Sequence, residues 1–273
     1  GPAPAPCANP GVRDGARRTL RDARFVGGAL TYCTGDDCWS LDPAALKVRA
    51  IPTVKPAAPP GDDPGKSPDG RATATATEVA FCPTAPTTCQ RFTYRVPFAP
   101  QGGLHALINP AGTLGGVVYA GVGEDGEPRY LFAYDLRAGK LIKRVTVRAN
   151  DVDVLDGGFL FDGALYSSKL KKLAKLALAG ADRAALPGTS LLALTDAGTG
   201  TLVLQDAATG KARPKLVLPD VRGIDQVVGA PDGARVYVIA QGASEGEVIA
   251  VDVATGTIAG RAAPPACPAG SRR

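Results

Sequence analysis

Cysteines, a lone histidine and a scatter of carboxylates are the residues of this chain whose types and spacing could do chemistry. There are six Cys and one His in 273 residues. Cys33 and Cys38 flank the tetrapeptide TGDD, Cys82 and Cys89 flank PTAPTT, and Cys7 and Cys267 stand near the two ends. Six cysteines allow fifteen pairings in principle. Zinc would want C-x-x-C spacings and histidine partners, and this sequence has no such spacing and a single His. An even count with no metal-binding spacing reads as disulfides, and so as an oxidising compartment.

The remaining motifs dissolve when their context is read. Gly121-Val-Gly123-Glu-Asp-Gly126 has the spacing of a dinucleotide-binding turn. Such a turn must open a helix whose N-terminus faces the pyrophosphate. Here EPRYLFAYD, a strand pattern, follows, and Glu124 and Asp125 would repel phosphate. Gly61-Asp-Asp-Pro-Gly65-Lys66-Ser67 is a phosphate loop one residue short, in no strand-to-helix setting. Asp151, Asp153 and Asp156 begin like a calcium loop, but Leu155 takes a ligand position and no closing Glu follows. His105 sits beside Leu104 in a strand without a matching nucleophile, so it is read as a channel or strand-end residue rather than a base. Trp39 follows Cys38 at the start of a strand and reads first as packing, second as a ligand platform. No metal and no cofactor are expected.

The elements that must position these residues are short strands. Ile224 to Ala263 contains four runs rich in β-branched residues, separated by PDG, GASEG and ATG. Val236, Val238 and Ala240 alternate with Tyr237, Ile239 and Gln241, so this strand must be covered on both faces. Such a four-stranded antiparallel unit cannot stand alone. Copies recur: a strand ending in Asp and followed by a small turn appears around Asp135, Asp206 and Asp252, with weaker copies around Asp42 and Ala177 and a run near Arg95 that fits by position only. The mean interval is about 42 residues, the size of a propeller blade. Six units are predicted, beginning near Arg24, Ala72, Leu104, Asp151, Ala184 and Ile224. Lys169 to Leu178 has the composition of a basic amphipathic helix, but the repeat assigns it to a third strand. Pro56 to Gly70 reads as a solvated loop between the first two units.

This pattern resembles the tandem-repeat propellers of the YVTN and quinoprotein-like group, most specifically over Thr201 to Lys211 and Pro231 to Thr257. Asp206, Thr209, Gly210 and Lys211 match the quinoprotein repeat, but Pro214 stands where its docking Trp belongs. The resemblance therefore implies an architecture and no quinone cofactor. The expected fold is an all-β, six-bladed β-propeller (alternatively seven blades). A ring brings its first and last blades together, so Cys7 and Cys267 would close it as a terminal disulfide, while Cys33–Cys38 and Cys82–Cys89 staple hairpins. In the chain-entropy model the long bridge is worth roughly 5 kcal/mol and each short one roughly 2.

Composition bounds the function. Hydrophobic residues at 45% supply a core, and no stretch is long and apolar enough to cross a membrane. A net charge of +5 and 5% aromatics speak against nucleic-acid binding. Residues 1–6 read as a linker or processing remnant, 7–268 as a single propeller domain and 269–273 as a tail. The expected setting is bacterial, periplasmic or extracellular, with any membrane attachment through an upstream anchor, and the chain a monomer.

Propeller geometry then sorts the charges. Loops between second and third strands emerge on one face and carry Asp36, Asp37, Glu124, Asp125, Glu127, Asp162 and Glu245, with Trp39 beside them. Turns between third and fourth strands emerge opposite and carry Lys47, Arg137, Lys140, Lys211 and Arg213. The reading that follows is a non-catalytic binding or sensing module whose acidic face meets a protein or small ligand of the cell envelope. The alternative is a propeller enzyme, a lyase or lactonase, with its site at the central channel near His105.

Overall fold

The computed structural model describes residues 20–34, 37–52, 65–67, 69–83, 88–96, 103–120, 129–148, 152–178, 182–196, 198–241 and 246–265. Among them there are six antiparallel sheets and no helix. The first sheet is β1 (Leu20–Val26), β2 (Ala29–Thr34), β3 (Asp37–Asp42) and β4 (Lys47–Ile51). The second is β5 (Ala72–Ala74), β6 (Glu78–Phe81) and β7 (Gln90–Thr93). The third is β8 (Gly103–Ile108), β9 (Leu114–Ala120), β10 (Arg129–Asp135) and β11 (Lys140–Val147). The fourth is β12 (Asp153–Leu155), β13 (Gly158–Phe161), β14 (Ala164–Ser167) and β15 (Lys172–Lys175). The fifth is β16 (Asp182–Ala185), β17 (Leu191–Asp196), β18 (Thr201–Asp206) and β19 (Leu216–Val217). The sixth is β20 (Gly223–Gly229), β21 (Arg235–Gln241), β22 (Glu247–Asp252) and β23 (Thr257–Ala262).

Each sheet is a meander in sequence order, which short turns between neighbouring strands dictate. The repeated aspartate is the turn maker. Asp42 Oδ1 accepts the backbone N–H groups of Ala44 and Ala45, Asp135 Oδ1 that of Ala138, and Asp206 Oδ1 those of Ala208 and Thr209. Asp252 Oδ1 accepts both the N–H and the hydroxyl of Thr255. A side-chain oxygen that captures the donors just ahead of it fixes a tight turn, which is why the third strand ends there each time.

Middle strands such as β10, β13, β18, β21 and β22 spend both faces on packing. Val236, Val238 and Ala240 of β21 join a core with Leu202 and Leu204 of the fifth sheet. Tyr237 and Ile239, on the opposite face, pack with Tyr32, Trp39 and Leu41 of the first. Further cores join the second sheet to the third, the third to the fourth and the fourth to the fifth. The sixth sheet thus lies against the first across the length of the chain. Three long-range bonds seal that contact: the buried Tyr32 hydroxyl donates to the Gly246 carbonyl at 2.8 Å, Arg235 Nη1 donates to the Pro43 carbonyl at 2.7 Å, and Gln226 Oε1 accepts the Ala23 N–H at 3.3 Å. First strands approach one another, β5 with β8, β8 with β12, β16 with β20 and β20 with β1, leaving fourth strands at the far edges. The molecule is all-β and propeller-like.

Some expectations change. Within Lys169–Leu178 a strand does form, β15 (Lys172–Lys175), but as the fourth of its sheet rather than the third. The third strand is Ala164–Ser167, returned by a two-residue turn at Asp162 (φ 50°) and Gly163 (φ 67°). That turn is so short that GFLF and ALYS read as one run in the sequence. The second sheet has three strands among the described residues. Disulfides join Cys33 to Cys38, directly opposite each other on β2 and β3, and Cys82 to Cys89. Cys7 and Cys267 lie outside the described residues.

Candidate functional site

A sheet that is buried on both faces leaves three places for polar chemistry: the first strands, the loop ends and the outer edge. Polar side chains do gather on the first strands. Arg183 Nε of β16 donates to Asp153 Oδ2 of β12 at 2.6 Å, an ion pair that bridges the fourth and fifth sheets at their inner edges. Asp153 is 40% and Arg183 19% exposed at the side chain, so the pair is screened on one side only. On β20 the register shifts at Asp225, whose Oδ1 accepts Gln241 Nε2 at 2.9 Å. A bulge of this kind re-aims a side chain that strict alternation would have buried. Arg24 on β1 borders a similar irregularity and is exposed.

His105 lies on β8, a first strand, as expected. It is exposed between the buried Leu104 and Ala106, its imidazole turned away from the core between the second and third sheets. Among the described residues no three His, Cys, Asp or Glu side chains converge at metal-binding distance. Asp153 and Asp156, the candidates for a calcium loop, serve other partners. Asp153 takes Arg183, and Asp156 Oδ1 accepts Asn109 Nδ2 and the Ala111 N–H, tying the third and fourth sheets together. The first strands thus carry polar side chains of both charge signs where the sheets meet. The Asp153–Arg183 pair escaped the sequence reading because its two halves belong to different repeats. The one available signal was that both fall at the start of a repeat.

At the loop ends, Asp162 is exposed and its Oδ1 accepts the Arg148 N–H at 2.8 Å. Asp37 begins β3, immediately before Cys38. Asp36, Glu124, Asp125, Glu127 and Glu245 lie outside the described residues. Trp39 does not belong with them. It is 1% exposed, packed against Tyr237 and Val248 between the first and sixth sheets, because its position on β3 puts it on the face that meets the last sheet. Burial of a side chain this large is the packing role, and it removes Trp39 from any ligand platform.

The cations of the opposite turns, Lys47, Arg137, Lys140, Lys211 and Arg213, are all exposed. Beside the first sheet, a cleft of about 560 Å³ is lined by Ser40, Asp42, Lys47 and Arg49 with the Gly27-Gly28 turn at its end. Three buried polar atoms lack a partner among the described residues: Gln90 Oε1, Tyr134 Oη and Glu247 Oε2. Glu247 spends its other oxygen on Arg261 at 3.2 Å. Burial pushes the Tyr134 phenol well above its ordinary value, with Tyr94 adding to the effect.

No protein-family model matches the chain, and neither does any curated protein sequence. Among solved structures it is similar to hydrazine synthase of Kuenenia stuttgartiensis, at 14% identity and a TM-score of 0.29, over 88% of this chain and 72% of that one. It is also similar to the dihydro-heme d1 dehydrogenase NirN in complex with DHE, at 16% identity and a TM-score of 0.42, over 91% of this chain. The chain spans 57% of the length of that dehydrogenase.

Proposed function

We propose that the chain is a six-bladed β-propeller, with residues 7–268 as one domain, acting outside the cytoplasm as a non-catalytic binding or sensing module. The carrying observation is where the staples fall. Cys33–Cys38 and Cys82–Cys89 both sit at second-to-third-strand connections, and so at one end of their sheets. A disulfide at the base of a loop limits its motion before any ligand arrives, which lowers the ordering cost of binding. The first staple encloses Asp36 and Asp37, the start of the acidic set. Disulfides also favour an oxidising compartment, and no helix among the described residues is long and apolar enough to cross a membrane.

The binding face in this reading is the acidic one expected from the sequence, whose carboxylates include Glu124 and Asp125, with a basic protein or cationic ligand as partner. The test uses a decalysine peptide as probe in surface plasmon resonance at several salt concentrations. Reversing charge in Glu124→Lys/Asp125→Lys is expected to slow association and flatten its salt dependence, since steering acts on the on-rate. An association rate unchanged by that double substitution rejects the acidic face.

A further inference from the structure

We propose that the outer edges of the third, fourth and fifth sheets form one docking surface for a linear anionic polysaccharide. The segments 140–148, 169–175 and 211–215, which hold β11, β15 and the lead-in to β19, contain eleven Lys and Arg and no Asp or Glu. All eleven are exposed. Ion pairs among the described residues use Arg71, Arg91, Arg183 and Arg261, and none of these eleven. Two carboxylates border the patch, Asp196 near Lys215 and Asp162 on the Arg148 N–H, so the eleven cations far outnumber the neighbouring acids in a protein whose net charge is only +5.

The three segments are neighbours in space. Ile142 and Val145 of β11 pack in the same core as Leu170, which sits between Lys169 and Lys171. Gly210 (φ 77°) rests against Leu173 and Ala174 of β15, close enough that a Cβ at this position would lie 2.8 Å from the Ala174 Cβ. That contact puts Lys211 beside Lys172 and Lys175. Fourth strands are the edges farthest from the converging first strands, so the cations run along the outside of three consecutive sheets.

Lysines on edge strands also prevent sheets from pairing edge to edge. That role needs a charge or two at every edge, as Lys47 and Arg49 provide on β4. It does not explain a concentration on three adjacent sheets. The shape of the surface selects the partner. Successive sheets of a propeller-like array turn away from one another, so a planar lipid surface meets one outer edge at a time, while a flexible chain can follow all three. Leu141 and Val217 are the large exposed apolar residues here, one on the third sheet and one on the fifth, with no apolar patch between them to anchor a bilayer among the described residues. Stacking platforms for nucleic-acid bases are absent from all three segments, which contain no Phe, Tyr or Trp. The choice of a glycan as the polyanion rests on the extracytoplasmic reading above; the basic surface itself does not.

The test is heparin affinity as a function of salt, with folding followed by circular dichroism. Neutralising one cation per sheet, in Lys143→Gln/Lys172→Gln/Lys211→Gln, is expected to weaken heparin binding about tenfold or more at low salt. It should also reduce the slope of log K against log salt by about 2 to 3, as the release of one counterion per lost contact requires. A control with the same net charge, Lys47→Gln/Arg49→Gln/Arg222→Gln, should lose less than about twofold. Equal losses in the two variants would show a net-charge effect and overturn the surface. Failure of the unmodified protein to bind heparin at low salt would do the same. If oligothymidylate or anionic phospholipid vesicles bind as tightly as heparin at equal charge, the glycan assignment is wrong, while the compartment reading, which rests on the disulfides, is untouched.

Discussion

Two tyrosines in the same scaffold should respond in opposite directions to loss of the same atom. Tyr32 is 1% exposed, and its hydroxyl donates to the Gly246 carbonyl across the junction of the first and sixth sheets, 214 residues away in sequence. Tyr134 is equally buried, but its hydroxyl has no partner among the described residues. Tyr32→Phe keeps the ring and its packing against the sixth sheet, and leaves a buried carbonyl without its donor. The cost of an orphaned buried polar group is about 1 to 3 kcal/mol. Tyr134→Phe removes a hydroxyl that already bears that cost, and keeps the ring against Phe92 and Phe81, with centroids at 4.8 and 5.4 Å. Its expected effect lies between zero and a gain of about 2 kcal/mol. Equilibrium urea unfolding of both variants measures the difference, with the slope of free energy against denaturant unchanged if the folded and unfolded ensembles are unaltered. A neutral Tyr32→Phe would mean that the first and last sheets are not joined there. Equal destabilisation by both substitutions would refute the reasoning from hydrogen-bond satisfaction.

The remaining expectations concern the staples and pH. Replacing Cys33 and Cys38 together by Ser should lower unfolding free energy by about 2 kcal/mol, the entropy of a short closed loop, and the Cys82/Cys89 pair should behave alike; no change in the urea midpoint in either case would contradict the staples. Burial holds Tyr94 neutral, its phenol pushed up to about 12, with Tyr119 contributing. An unfolded chain ionises its tyrosines near 10, so this stabilisation is complete below that pH and is lost as pH rises toward 12. Thermal melts between pH 9 and pH 12 should show a falling midpoint that is shallower in Tyr94→Phe. Asp69 behaves in the opposite sense. Burial alone would raise its carboxyl, but hydrogen bonds from Ser67 and Arg71 and the guanidinium charge outweigh it and hold the carboxyl below 3.8. Its contribution is present above that value and lost as pH falls further, a loss that Asp69→Asn should abolish in acid titration.

Much of the scaffold was legible because its signals are local. The six expected starting points, Arg24, Ala72, Leu104, Asp151, Ala184 and Ile224, fall within or close to β1, β5, β8, β12, β16 and β20. They were readable since each third strand is closed by an aspartate that makes its own turn, and since alternation without a polar side betrays burial on both faces. What failed was also local in cause. Asp162-Gly163 turns the chain in two residues, leaving no gap between GFLF and ALYS, so one strand of the fourth sheet went unread and Lys169–Leu178 was placed a strand too early. Trp39 shows a different limit. Its place on a strand was clear, but which neighbour that side of the strand meets depends on how the sheets are stacked.

The same limit separates the candidate sites. Hydrogen bonds within a hairpin follow from spacing, whereas Asp153–Arg183 unites residues of two repeats whose relative placement is set by the core between them. Function in such a molecule finds no room on the middle strands, whose two faces are buried. It must lie where a strand ends, where the first strands meet, or along the outer edge. The sequence distributes charge unequally among these three. The fourth strands carry Lys and Arg without a single Asp or Glu, while the first strands mix Arg24 and Arg183 with Asp153, Asp182 and Asp225. Edge protection alone would have been satisfied by either sign of charge. A mixture at the inner edge suits a small polar ligand that needs both a donor and an acceptor. A single sign at the outer edge fits the anionic chain proposed above and would repel a second copy of the same edge.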